Sequence, residues 1–357
     1  MPAPAAEPKM RSIEGARALA AMAVALMHCA NLMRVEHFSG HVGLGGLFDF
    51  GYVGVDFFFV LSGFIIAYVH HADLGRPAAA PAYLWRRLSR VYPIFWVCLV
   101  LQILVVAGGR LVLGKPTGID FAPVDIASTW LLAQIVPPKF VEVAWSLQYE
   151  VLFYLAFTLL IFSKRLGLAL LGLWTAVVIA GIAGLHSLPA LILKSPHCLQ
   201  FVAGIGIGLL VRARSFPRLG RGALAGAIAL LVLAVVYEMN WSPQPHRWDG
   251  RLALGLGSAA VLFALVELEK RHALRTPAWL HRLGSVSYSI YLSHIMFINL
   301  IFSLLLKFGW YHRLPEGAVF ALGFAGAMAG AMALGFTVEL PLVNRLKPLV
   351  GRPAPGR

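Results

Sequence analysis

Apolar positions in this chain come in long unbroken runs, not in the three- and four-residue spacing of a soluble amphipathic helix. About ten runs are long enough to cross a bilayer core as helices. They lie near 12–34, 52–70, 87–108, 144–162, 166–186, 195–212, 221–238, 251–270, 285–308 and 315–338. The joints between them are short and collect the Gly, Pro and charged residues. One longer connection, about 109–143, mixes polar and apolar positions and is expected to lie on the membrane or to cover a cavity. No 20–50-residue repeat is visible, nor an inverted pair of broken helices of the transporter kind. The predicted fold is all-α, a polytopic membrane protein of about ten transmembrane helices. A short polar lead (1–11) precedes a membrane domain (12–341) and a basic tail (342–357).

Composition agrees with this reading. Of 357 residues 59% are hydrophobic and 13% charged, with a mean hydropathy of +0.77, far from the charge content of a soluble chain. Thirty Lys and Arg against sixteen Asp and Glu give +14. In a soluble protein that excess would suggest nucleic acid; here it is assigned to loops facing an anionic leaflet. With the N-terminus inside, basic residues of the inner segments outnumber those of the outer ones roughly two to one, which predicts both termini in the cytoplasm. Glu14, Arg17 and His28 interrupt the first apolar run, so no cleavable signal peptide is expected. Cys29, Cys98 and Cys198 have no metal-like spacing and form no disulfide framework, so no metal site is predicted. A nucleophilic Cys29 beside His28 is disfavoured by the 100° between neighbouring helix positions.

The chemistry sits in polar residues at membrane depth. Arg17 and His28 are eleven residues apart in SIEGARALAAMAVALMHCANL, about three turns, and so share a helix face roughly 16 Å apart along the axis. Either would be costly toward lipid, so that face is expected to look into protein or a wet cavity. The plain alternative is an arginine snorkelling to the surface and a satisfied core histidine. Asp56 lies in GYVGVDFFFVLSGF and Glu150 in WSLQYE, both placed at the level of His28, while His294 of SYSIYLSH is placed nearer mid-membrane. Glu150 or Asp56 would hold the His28 imidazole in one tautomer, ready to take a proton from a hydroxyl; alternatively each carboxylate caps a helix or pairs within the fold. No serine has the context of a nucleophile elbow, and Ser62 of LSGF precedes a packing glycine.

A second constellation is YLWRRLSRVYP, from Tyr83 to Pro93. Arg86 and Arg90 are four apart, with Arg87 alongside. Ordinary inner-face anchoring would explain them. A phosphate site would explain them too, because guanidinium forks bind phosphate bidentately. Coenzyme A suits that site, since its phosphates would stay inside while its pantetheine arm reached toward the histidine.

Taken in order, Arg17 with His28, GVDFFFVLSGF, RRLSRVYP, WSLQYE, SYSIYLSH and the late VELP (338–341) resemble the acyltransferase-3 family of integral membrane acyltransferases. These motifs run from about residue 12 to 341. Among them the chain is most similar to stand-alone, exopolysaccharide-modifying members. The resemblance implies a ten-helix acyltransferase domain with an acyl-CoA donor, often acetyl-CoA, as substrate and with no tightly bound cofactor. By the same motif match, His28 corresponds to the family's essential histidine, Glu150 to the acid of WSL-x-x-E, and Arg17, Arg86, Arg87 and Arg90 to its essential basic positions. Some members carry an additional extracytoplasmic hydrolase-like domain, which this sequence is not expected to supply.

The expected activity is therefore acyl-CoA-dependent O-acylation, O-acetylation first, of a hydroxyl on a cell-surface or secreted glycan or glycolipid. His28, Glu150 and Asp56 are the catalytic candidates. Arg17, Arg86, Arg87 and Arg90 are the candidates for the CoA phosphates, with His294, Trp145 and Ser146 in support. The rival is a transporter or flippase for a glycan or small solute, which would also use intramembrane His, Asp, Glu and Arg.

Overall fold

The computed structural model describes residues 10–36, 38–113, 122–133, 140–184, 195–214, 216, 219–241 and 248–346. Among these, all regular structure is helical. The helices are α1 (Arg11–Met33), α2 (Val53–His70), α3 (Ala80–Leu113), α4 (Pro123–Leu131), α5 (Ala144–Phe162), α6 (Lys164–Ile182), α7 (His197–Ala213), α8 (Arg221–Asn240) and α9 (Trp248–Lys270). They continue with α10 (Ala278–Ser285), α11 (Ser287–Lys307) and α12 (Glu316–Leu334), then a π-helical turn (Gly335–Glu339) and α13 (Leu340–Leu346). Nine helical stretches among the described residues are long and apolar enough to cross a membrane. Together with the shorter α7 they occupy the ten expected spans. Most of the polar lead and of the basic tail, and residues 114–121 and 134–139 of the long connection, lie outside the described residues.

Three features depart from the sequence expectation. Helix α3 begins at Ala80 rather than near 87, because Arg87 and Arg90 turn into a cavity between the helices, beside the wholly buried Tyr83, and do not mark a loop. Helices α4 and α10 are too short to register as apolar runs. The described part of the 109–143 connection packs back on α3 and α5. There the Trp96 indole donates to the Trp130 carbonyl (3.0 Å), Tyr92 to that of Leu131 (2.9 Å), and Gln148 to that of Ala133 (2.8 Å).

Helix contacts in a bilayer are built by small residues that let backbones approach, and two such seams position the site. Helices α2 and α7 meet through Gly63 and Gly204; a Cβ at either would run into the opposite backbone, at the carbonyls of Phe201 and Val60. Helix α1 presents Ala18, Ala21 and Ala25, all wholly buried. Ala21 packs in one cluster with Val286 and Ile290, which brings α11 close along the face that also carries Arg17 and His28. An aromatic layer of Phe59, Trp145, Tyr149, Phe153 and Phe201 closes the core between α2, α5 and α7, with Phe153 and Phe201 stacked at 4.0 Å.

Candidate active site

Five helices wall one cavity of about 110 Å³. Arg17 enters it from α1, and Arg87 and Arg90 enter from α3. Helix α5 contributes Ser146, Glu150 and Tyr154, and α11 contributes Tyr288 and Tyr291. The apolar wall is α2, from Val55 to Ile65. A second cavity of about 320 Å³ shares Arg17, Ile65 and Arg90 with the first and continues toward the start of α1, between Met10, Glu14, Tyr68, Ser285 and Glu339. Glu339, at the end of the π-helical turn, accepts hydrogen bonds from the Ser289 amide (2.9 Å) and hydroxyl (2.7 Å), which holds the first turn of α11 in place.

Within this chamber guanidiniums outnumber carboxylates, while Glu14 and Glu339 share the second cavity with Arg17 and Arg90. Three guanidiniums face one carboxylate, and Glu150 is occupied by the Tyr154 hydroxyl at 2.5 Å. Among the described residues, Arg17, Arg87 and Arg90 make no ion pair or hydrogen bond. The Arg87 Nε and the Tyr288 hydroxyl are buried with no partner at all. Buried donors are nearly always satisfied in folded proteins, so this arrangement fits an anion that brings its own acceptors. Phosphate and pyrophosphate are the groups that guanidinium forks match in shape and charge.

Beyond the far end of the chamber, where Tyr291 donates to Ser146 at 2.8 Å and Ser146 donates to the Val143 carbonyl at 2.9 Å, stand two histidines. The His28 Nδ1 lies 3.0 Å from the Val24 carbonyl and 3.1 Å from His294 Nε2; the His294 Nδ1 lies 3.0 Å from the Ile290 carbonyl. Carbonyls only accept, so both neutral rings carry their proton on Nδ1. His294 then offers its Nε2 lone pair to the His28 Nδ1–H, and the Nε2 lone pair of His28 is left free to take a proton. His294 is wholly buried, and the rings are tilted with centroids 5.0 Å apart.

A family model described as an acyltransferase domain matches residues 10–336. The chain belongs to the acyltransferase-3 family. It is 29% identical over 316 residues to the exopolysaccharide production protein ExoZ of Rhizobium meliloti (strain 1021), covering 84% of this chain and 92% of that protein. It is 26% identical over 396 aligned positions to the acyltransferase MdmB of Streptomyces mycarofaciens, covering 97% of this chain and 96% of that one. No solved structure matches it significantly.

The expected residues do not share one place. Arg17, Arg87, Arg90, Glu150 and Ser146 share the chamber. Arg86, one position round from Arg87 on α3, lies off its lining. The expected pairing of His28 with Glu150 or Asp56 is not formed. Glu150 turns to Tyr154 and the guanidiniums, and the partner of His28 is His294, which stands at its level and not apart from it. Asp56 is wholly buried between α2, α7 and α9, where it pairs with Arg251 at 2.6 Å and accepts from Gln200 at 2.6 Å. Trp145 stacks among Phe59, Tyr149 and His197 outside the chamber lining. Cys29 turns from His28 to the Phe320 carbonyl. Depth along a helix was legible in the sequence and azimuth across helices was not, which is why three ionisable groups looked like one site. Missed entirely were Tyr154, Tyr288, Tyr291 and Arg251. The signal available for the tyrosines was their spacing: 288 and 291 sit one turn apart on the face that ends at His294.

Proposed function

We propose that this protein is an acyl-CoA-dependent O-acyltransferase, an O-acetyltransferase in the first instance, that modifies a hydroxyl of a cell-surface or secreted glycan from a bacterial inner membrane, with both termini in the cytoplasm. The observation that carries the reading is the set of three unpaired guanidiniums, Arg17, Arg87 and Arg90, around one chamber that continues to the α1-start side. They would take the CoA phosphates, and the pantetheine arm would run along the α2 wall toward Tyr291. The name of ExoZ, an exopolysaccharide production protein, supports a glycan acceptor.

In the proposed reaction His28 Nε2 takes the proton of the acceptor hydroxyl as its oxygen attacks the thioester carbonyl carbon. The C–S bond breaks, and the imidazolium returns its proton to the leaving CoA sulfur. His294, accepting from His28 Nδ1–H, keeps the catalytic ring in the productive tautomer and shares the charge that forms. Direct attack by the acceptor keeps the site to two substrates and one base. The test uses purified protein in nanodiscs with labelled acetyl-CoA, measuring binding and CoA release with and without a glycan fraction from the source strain. Removing one guanidinium loses a charge-assisted contact of about 1.5–3 kcal/mol, so Arg90→Ala is expected to weaken acetyl-CoA about 10- to 100-fold. His28→Ala should bind the donor and release no CoA. A wild type that neither binds nor cleaves acetyl-CoA yet moves glycan across the bilayer would overturn the reading in favour of a carrier.

A further inference from the structure

Helix α11 begins inside the arginine chamber. Its first two residues, Ser287 and Tyr288, both line it together with Arg17, Arg87 and Arg90. Neighbouring helix positions point 100° apart, so the chamber wraps round the first turn of this 21-residue helix. Ser287 is 1% exposed, and its hydroxyl has no hydrogen-bond partner among the described residues. The Tyr288 hydroxyl and the Arg87 Nε are buried in the same state. The third residue of the turn is spent otherwise, since the Ser289 amide and hydroxyl both donate to Glu339.

Three buried donors from two helices thus converge on one cavity at the positive end of a helix dipole. Such donors at membrane depth are costly unless acceptors meet them. An anion supplies the acceptors and is favoured at a helix N-terminus. The carboxylates that share the two cavities with these arginines are each engaged elsewhere: Glu150 with Tyr154, Glu339 with Ser289, and Glu14 with His281 at 2.7 Å. They leave the donors of this turn to a ligand.

The distances select the part of the donor that comes here. In coenzyme A the pantetheine arm leaves from the diphosphate, and the 3′-phosphate hangs on the ribose beyond it. Ser287 stands seven residues before His294, about 10 Å along α11, and Arg17 stands about 16 Å from His28 along α1. The phosphates that carry the arm are the ones placed one arm's length from the base. The nucleoside then continues into the second cavity, which shares Arg17 and Arg90 with the chamber.

We infer that the first turn of α11 is the neutral half of a diphosphate site, with the Ser287 and Tyr288 hydroxyls donating to phosphate oxygens that Arg17, Arg87 and Arg90 also hold. The ligand is a diphosphate ester, that of acetyl-CoA on the acyltransferase reading above, on which the inference rests.

Two readouts on protein in nanodiscs test it: the rise in unfolding temperature produced by inorganic pyrophosphate, and the KM for acetyl-CoA and for acetyl-3′-dephospho-CoA. Without ligand, Ser287→Ala and Tyr288→Phe should unfold no earlier than wild type, because the hydroxyl each loses has no partner in the protein. Each should lose most of the pyrophosphate-induced rise and raise the KM of both donors by the same factor, about 10-fold. A KM increase confined to acetyl-CoA would put the 3′-phosphate at this turn and overturn the assignment. So would variants with wild-type KM and a wild-type response to pyrophosphate, or variants that unfold early yet respond fully. Should one variant fail to fold, the other decides. If wild type releases no CoA from acetyl-CoA, the donor reading fails and pyrophosphate still decides this one: a response present in wild type and lost in the variants supports the site, and none in wild type refutes it.

Discussion

Asp56 heads the GVDFFFVLSGF motif and is the residue whose sequence expectation and structural setting differ most. Its carboxylate is wholly buried and meets Arg251 at 2.6 Å on one oxygen and Gln200 at 2.6 Å on the other, with His197 at 3.8 Å. Arg251 is 9% exposed and lies 5.2 Å over the Tyr52 ring, and its carbonyl accepts from the same Gln200 amide at 2.9 Å. One carboxylate thus ties α2, α7 and α9 together. Asp56→Ala would take the carboxylate from a buried guanidinium, and breaking a buried pair from one side costs about 3–5 kcal/mol, a large part of the 5–15 kcal/mol that keeps a typical protein folded. Replacing both partners by apolar side chains of similar size is often neutral. The expected result is therefore non-additive: Asp56→Ala unfolds at a markedly lower temperature, and Asp56→Leu with Arg251→Met recovers most of the loss. Tryptophan fluorescence on heating in detergent gives the unfolding temperatures, and acetyl transfer is measured well below them. A structural Asp56 predicts substantial transfer by the double variant. A double variant with wild-type unfolding and no transfer would refute this placement and return Asp56 to the chemistry.

Three further outcomes are expected. His294→Ala leaves the His28 ring oriented by the Val24 carbonyl alone, so kcat is expected to fall about 10- to 100-fold with the acetyl-CoA KM unchanged, and His294→Gln, which keeps an acceptor, should recover part of it; equal loss in kcat and donor affinity would contradict a positioning role. Tyr291→Phe removes one neutral hydrogen bond to a Ser146 that keeps its Val143 partner, so unfolding should change by no more than about 1.5 kcal/mol while transfer changes less than about ten-fold; a complete loss of transfer would make Tyr291 part of the reaction. Gly204→Val drives a side chain into the Val60 carbonyl across the α2–α7 seam, so the protein should unfold at a clearly lower temperature, whereas Gly206→Val, beside open space on the same helix, should not; equal effects would refute the seam.

Much of the fold was legible in the runs of apolar residues, because span length and hydropathy are local properties of a membrane helix. The ten spans and the shared face of Arg17 and His28 come from counting alone. What the sequence could not supply was which face of one helix meets which face of another. Asp56, Glu150 and His28 sit at comparable places along their helices, yet Asp56 turns to Arg251, Glu150 to Tyr154 and His28 to His294. Arg251, at the very start of its apolar run, is a buried partner in the fold. The arginines of α3 were read as the end of a span for the same reason: charge signals a loop only when no buried ligand or partner is waiting for it.

The separation of the guanidiniums from the histidine pair changes what an acyl transfer across a membrane requires. On the proposed reading, the donor's charged part never has to leave the guanidiniums, and the acceptor never has to reach them. Only the acyl end of the pantetheine arm has to reach past Tyr291 to the histidine pair. The roughly 16 Å between Arg17 and His28 along α1 is then the length of arm to be spanned, and the small residues Ala18, Ala21 and Ala25 of α1 are what let α11 stand close enough for His294 to meet His28 at its end. Inserting four residues in that stretch would turn the two side chains about 40° apart and move the base from the thioester by about 6 Å, so on the proposed reading the spacing of Arg17 and His28, and not only their identity, is what the chemistry fixes.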